Sequence, residues 1–292
     1  DTSKKYSLRG NDVIPVLFLN TLFCSAIFLP LILLSQYTHV LDSSIFHVGA
    51  GGWEMHRWII LKSVIVLLSW VFGYFAIAQL PLTIVGPINA TRPVMTLVGA
   101  MLVFGERLNA WQWVGVSLAI ISLFLLARSG KREGIDFKHN KWIFFLVLAA
   151  MMGTCSGLLD KYLMASPENG GVGLDRMMAQ SWYNIYQCIM MGVVLLVYIF
   201  NQRNKAERTA HFSWKWSILL ISIFLSMADF AYFYALSLPG AMISIVSMVR
   251  RGSVLVSFLC GALLFREKNL KAKAIDLCFV LLGMIFLWIG SR

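Results

Sequence analysis

Three arginines and one aspartate sit deep inside long apolar runs of this 292-residue chain: Arg92, Arg250, Arg251 and Asp229. An ionised side chain at the centre of a bilayer costs roughly 2.5–3.5 kcal/mol on insertion scales, so it must face protein or water and needs a partner. A guanidinium is a planar fork of donors that suits a carboxylate or a phosphate. Arg250 and Arg251 are neighbours, about 100° apart on a helix, and so they diverge. One of them can pair with Asp229. The other, together with Arg92, is then left for an anionic group of a bound molecule. The arginines suit a structural task equally, bonding carbonyls between packed helices. Asp229 is either the acid of an ion pair or a carrier of a coupling proton; burial and neighbouring charge act on it in opposite senses.

The arginines belong to a phrase that the chain repeats. Tyr74-Phe75…Leu80-Pro81…Arg92 is answered by Tyr232-Phe233…Leu238-Pro239…Arg250, with the same internal spacing. Tyr74, Tyr232, Asn89 and Asn184 are further candidates for lining a substrate site. Each equally suits interhelical hydrogen bonding, which is worth about 0.6 kcal/mol on average. Pro87, Pro93 and Gly240 interrupt the two helices that carry the arginines, and loosened backbone in paired central helices points to binding sites and hinges. Lys62 and Asp276 lie nearer span ends, where Lys62 can reach the headgroups by snorkelling.

The elements that hold these residues follow from composition. The chain is 59% hydrophobic and only 13% charged, with mean hydropathy +0.74. Soluble domains are nearer a quarter charged. Apolar runs at 13–35, 58–79, 82–104, 111–128, 142–163, 179–200, 214–237, 240–265 and 272–291 approach or exceed the ~20 residues needed to cross hydrocarbon. The expected class is an all-α polytopic membrane protein with nine spans. A transmembrane β-barrel would show short alternating segments instead. The net charge of +11 lies mostly in loops beside the spans, which fits topology and lipid headgroups rather than nucleic acid. Cys24, Cys155, Cys188, Cys260 and Cys278 all fall in apolar segments and read as small buried hydrophobes. The five histidines read as loop residues. No cofactor or metal set is expected, and no cleavable signal peptide is visible.

The repeat extends outward. Phe104-Gly105-Glu106 answers Phe265-Arg266-Glu267, Asn20-x-x-x-Cys24 answers Asn184-x-x-x-Cys188, and Lys5-Tyr6 answers Lys161-Tyr162. Lys161-Tyr162 ends a full span, whereas Lys5-Tyr6 has none before it. Two repeats, 1–130 and 140–292, are expected, each of five spans with the first helix absent from this chain. An odd span count makes the copies run in opposite directions. The Lys/Arg-rich stretches 128–141, 203–215 and 266–273 then face the cytoplasm.

On the Leu80-Pro81 and Leu238-Pro239 hairpins, the Gly105-Glu106-Arg107 and Arg266-Glu267-Lys268 helix ends, and a glycine-containing last helix in each repeat, the chain resembles the drug/metabolite transporter superfamily in its EamA-like ten-helix form. The resemblance implies two inverted five-helix repeats around a central cavity lined by the third, fourth, eighth and ninth helices and their neighbours. Counting the absent helix, the fourth is 82–104 and the ninth 240–265. Arg250-Arg251 is similar to the basic pair that plastid phosphate translocators carry in their ninth helix. The function implied is secondary-active transport, as exporter or exchanger, of a small anionic or zwitterionic metabolite by alternating access. Its partners would be that solute and the bilayer of the cell inner membrane, not nucleic acid, with the chain a monomer or homodimer. The alternatives are a membrane-embedded lipid enzyme or scramblase, or a non-transporting receptor. The sequence shows no nucleophile–base set for an enzyme.

Overall fold

The computed structural model describes residues 1–104, 109–131, 139–203, 212–238, 246, 250, 253–263 and 270–290. Helices α1 (Thr2–Leu8), α2 (Val13–Tyr37), α3 (Trp53–Gln79), α4 (Leu82–Ala90) and α5 (Arg92–Phe104) come first. They are followed by α6 (Ala110–Lys131), α7 (Lys141–Met164), α8 (Arg176–Arg203), α9 (Trp216–Leu236), α10 (Ser253–Leu263) and α11 (Leu270–Gly290). A short 3₁₀ turn lies at Pro167–Asn169, and no strand occurs among the described residues. The helices α2, α3, α7 and α9, with Arg176–Asn201 of α8, are each long and apolar enough to cross a bilayer. A chain whose backbone groups are satisfied within helices is what hydrocarbon requires. The expectation of an all-α polytopic membrane protein is met.

The expected span at 82–104 is two helices. Pro87 sits inside α4, and α4 ends at Ala90, with Thr91 turning its N–H toward Ile88 O and Asn89 O. Pro93 lacks an N–H and cannot continue the ladder from Asn89, so α5 restarts at Arg92. The hairpin before α4 is as tight as read: α3 ends at Gln79 and Pro81 caps α4 with extended backbone (φ −60°, ψ 142°). Its counterpart at Pro239 and most of 240–252 lie outside the described residues.

The chain forms two compact units, each drawing helices from both halves of the sequence. The first comprises Asp1–Thr2, Phe75–Leu158 and Gly240–Arg292. Its core packs Val94 and Leu97 of α5 with Val116 of α6, Phe258 of α10, and Leu277 and Val280 of α11. Helices α6 and α11 touch backbone to backbone at Gly115 and Gly283: a Cβ built on Gly115 would lie 2.7 Å from Gly283 O. Ser122 Oγ donates to Asp276 O at 2.7 Å in the same seam.

The second unit comprises Ser3–Tyr74 and Leu159–Pro239. Here α2 packs on α8 and α9. Polar rungs cross an otherwise apolar seam: Ser222 Oγ donates to Asn20 Oδ1 at 2.8 Å, and Gln180 Nε2 donates to Ser226 O at 3.0 Å. Outside the spans, Asn11 Nδ2 donates to Ser213 O at 2.9 Å, and Lys215 Nζ to Tyr6 O at 3.0 Å. Partial burial, and then the nearby Arg9 charge, lower the Lys215 pKa.

Three sequence readings are corrected. Lys62 does not snorkel; it is 2% exposed. Of the cysteines, Cys24 is buried but Cys155 and Cys278 are exposed, because they sit on outward faces of their helices. His56 lies in the first turn of α3 rather than in a loop, with Nδ1 2.8 Å from the Tyr186 hydroxyl.

Candidate functional site

Helix α9 repeats its residues onto one face at i, i+3 and i+4. Asp229, Tyr232 and Phe233 therefore point the same way, into the second unit. There they meet Lys62 of α3, Asp160 of α7 and Tyr183 of α8. Lys62 Nζ forms an ion pair with Asp160 Oδ1. Tyr232 donates its hydroxyl to the other oxygen of the same carboxylate, at 3.3 Å. The ammonium also lies 4.8 Å from the Phe233 ring centre and 5.3 Å from that of Tyr183. Cation–π contacts of this kind strengthen when the cation is desolvated. Tyr183 in turn donates its hydroxyl to Asp229 Oδ2. All five polar members are buried.

The cluster continues toward α1. Trp70 and Tyr74, four residues apart on α3, hold the Lys4 ammonium at 5.7 and 4.9 Å from their ring centres. The charges of Asp229 and Lys4 both act on the Cys24 thiol. Lys4, Asp229, Lys62 and Asp160 thus make a series of alternating sign in the second unit, with the Tyr183 phenol between Asp229 and Lys62. Alternation is what keeps ionised groups tolerable at low dielectric.

The first unit holds Arg92 and Arg250 within each other's field. Arg92 is the first residue of α5, placed by the break at Thr91. Its Nη2 donates to Ala149 O at 3.3 Å, and its Nε has no partner among the described residues. The charge of Arg250 acts on it. Asn89, three residues earlier and 5% exposed, donates Nδ2 to Asp1 Oδ2 at 3.4 Å, while its Oδ1 has no partner among the described residues. Two guanidiniums within reach of each other's field, one with an unused donor, suit an anion.

The model of the EamA-like transporter family matches residues 2–128. This stretch is EamA-like. It runs from α1 to α6 and contains Lys62, Tyr74, Asn89 and Arg92. The likeness to the drug/metabolite transporter superfamily, read from the hairpin and helix-end motifs, is borne out. A solved structure titled "Crystal structure of protein" superimposes with TM-score 0.63 at 11% identity, over 99% of this chain and 91% of that one; it shares the fold. No curated protein matches.

Of the residues that the sequence offers as site candidates, Asn89, Arg92 and Arg250 fall in the first unit. Tyr74, Asn184, Asp229 and Tyr232 fall in the second. Arg251 lies outside the described residues. Asn184 Nδ2 donates to Gln180 O of its own helix at 2.8 Å. Tyr74 is 1% exposed, and its hydroxyl has no partner among the described residues. Sequence reading missed Asp160, Tyr183 as its link to Asp229, and the role of Lys62. The available signal was charge of both signs, Lys62 and Asp160, inside two separate apolar runs.

Proposed function

We propose that this EamA-like chain is a secondary-active transporter, exporter or exchanger, of a small anionic or zwitterionic metabolite, working by alternating access between two inverted five-helix repeats. The family supports small-molecule transport across a membrane by a multi-pass integral protein. The observation that carries the anionic reading is Arg92: a half-buried arginine at a helix break, whose buried Nε has no partner among the described residues and which feels the charge of Arg250. In hydrocarbon such a pair is tolerable when a carboxylate or phosphate bridges it. Arg250 and Arg251 supply the second fork, and Asn89 adds an amide beside the break. In this reading Tyr74, Tyr232 and Asn184 line the solute's route, and the protein performs no chemistry on its cargo. The Lys/Arg-rich stretches 128–141, 203–215 and 266–273 face the cytoplasm of the inner membrane.

The test is a panel of carboxylates, phosphate esters and amino acids scored by thermal stabilisation of purified protein. Each charged hydrogen bond is worth about 1.5–3 kcal/mol, so Arg92→Gln or Arg250→Gln should weaken the stabilising anion about 10- to 100-fold. Unchanged anion binding and unchanged uptake in both variants would remove the arginines from the site.

A further inference from the structure

We propose that Arg9 and Lys215 form the headgroup site of an anionic phospholipid whose acyl chain lies along the outer face of α9. Both residues belong to the second unit. They are 206 residues apart in sequence, yet the Lys215 ammonium donates to Arg9 O, and to Tyr6 O at 3.0 Å. It also lies 5.4 Å from the centre of the Tyr6 ring. Carbonyl oxygens and a ring face hold the ammonium without neutralising it. Arg9 is exposed, and among the described residues none accepts a hydrogen bond or forms an ion pair with its guanidinium. The Arg9 charge acts on Lys215. Two like charges side by side repel. A phosphate set between them relieves that repulsion and fills the guanidinium fork.

The pair stands where a headgroup would be. Helix α9, long and apolar enough to cross a bilayer, starts at Trp216, the next residue after Lys215. The Trp214 and Trp216 rings meet edge to face at 5.8 Å, and Phe23 of α2 lies against Trp214 at 5.9 Å. Both tryptophans are exposed. Tryptophan at the end of a span marks the level of the headgroups. From there Trp216, Leu220, Phe224 and Met227 are all exposed, and their spacing puts them on one outward stripe of α9. At 1.5 Å per residue the stripe is about 16 Å long, half of a ~30 Å hydrocarbon core. That is the depth one acyl chain occupies. A free phosphate would use the cations and leave the stripe bare, whereas a lipid uses both. Net negative charge suits the uncompensated pair better than a zwitterionic headgroup does. The site needs a membrane around the chain, and it stands apart from the transport reading and from the arginines of the first unit.

Native mass spectrometry of the purified full-length chain in neutral detergent, titrated with phosphatidylglycerol or phosphatidylcholine, tests the site. Phosphatidylglycerol should be retained in preference. A cation beside an anionic membrane surface is worth about a fivefold change in affinity, so Arg9→Gln should weaken phosphatidylglycerol about fivefold. Arg9→Gln/Lys215→Gln should weaken it about 25-fold on the same scale. Arg9 gives the fold only its backbone carbonyl, so Arg9→Gln remains a fair test even if Lys215→Gln loosens α1. Lys141→Gln is the control: it removes one charge from the start of another span, beside Trp142, and should leave the affinity unchanged. Salt at about 1 M should abolish the preference, since charge attraction is then screened within about 3 Å. Equal retention of the two lipids, an unchanged affinity in Arg9→Gln, or an equal loss in Lys141→Gln overturns the proposal. Glycerol phosphate, which has the anion without the acyl chains, should not compete at equal concentration. Full competition by it overturns the lipid assignment and makes the pair a site for soluble anions.

Discussion

Lys62 shows how much a single side chain's depth decides. It forms an ion pair with Asp160 and lies against two aromatic faces, at 2% exposure. Removing one member of a buried pair strands the other, which costs about 3–5 kcal/mol. Lys62→Met should therefore lower unfolding stability in detergent by about that amount. Adding Asp160→Asn should recover most of the loss, and the double-mutant cycle measures the coupling. A single-variant cost under about 0.5 kcal/mol would mean that the ammonium reaches the headgroups after all. The residue was misread because helix and apolar run do not share a start. The run begins at 58, whereas α3 begins at Trp53 and carries Glu54 and Arg57 in its first turns, paired at 2.5 Å. Lys62 is thus more than two turns inside the helix. Arg92 was legible because it sits far from either end of its run on any choice of boundary. What the residues touch was not legible: Asp229 takes a phenol from Tyr183, on a helix 46 residues away in sequence, and no local pattern announces that.

Helices were more legible than contacts, because hydrocarbon demands a run of fixed length whatever the sequence does in detail. Val13–Tyr37 and Lys141–Met164 extend the runs read at 13–35 and 142–163 by no more than two residues. The break at Thr91 was foreshadowed by Pro87 and Pro93. How helices meet was not, since apolar faces all look alike in a chain that is apolar all round. The α6–α11 crossing shows what decides it. Gly115 and Gly283 lie so close that a Cβ on either would come within 2.7–2.9 Å of the other's carbonyl oxygen. Small residues permit such approach between membrane helices. Gly115→Ala should push the backbones apart and destabilise by about 1–3 kcal/mol, the usual range for overpacking. Gly52→Ala, where a Cβ meets nothing within 4 Å, is the control. Equal melting temperatures for the two variants would mean that the crossing can slide without cost.

At the scale of the molecule, a soluble bundle and a membrane protein differ in what covers their outer faces. Helix α8 separates the two cases. Ile189 is 59% exposed while Met191, two residues on, is fully buried. Arg176 and Arg203 close the helix at its ends, about 20 Å from Ile189 on either side at 1.5 Å per residue. A guanidinium placed at 189 cannot reach water along the helix. If lipid covers this face, Ile189→Arg costs about 2.5–3.5 kcal/mol at the insertion step. It should lower the membrane-integrated fraction in cells while leaving little mark on the unfolding of molecules that do insert. Met191→Ala should do the reverse, inserting normally and unfolding about 2–5 kcal/mol more easily, because it hollows the packed side. The two variants thus load opposite faces of one helix into two different measurements. An Ile189→Arg chain that inserts normally but loses self-association would instead place a second copy of the protein over this face. An Ile189→Arg chain unaffected in both would leave the face in water, which an apolar helix of this length does not tolerate.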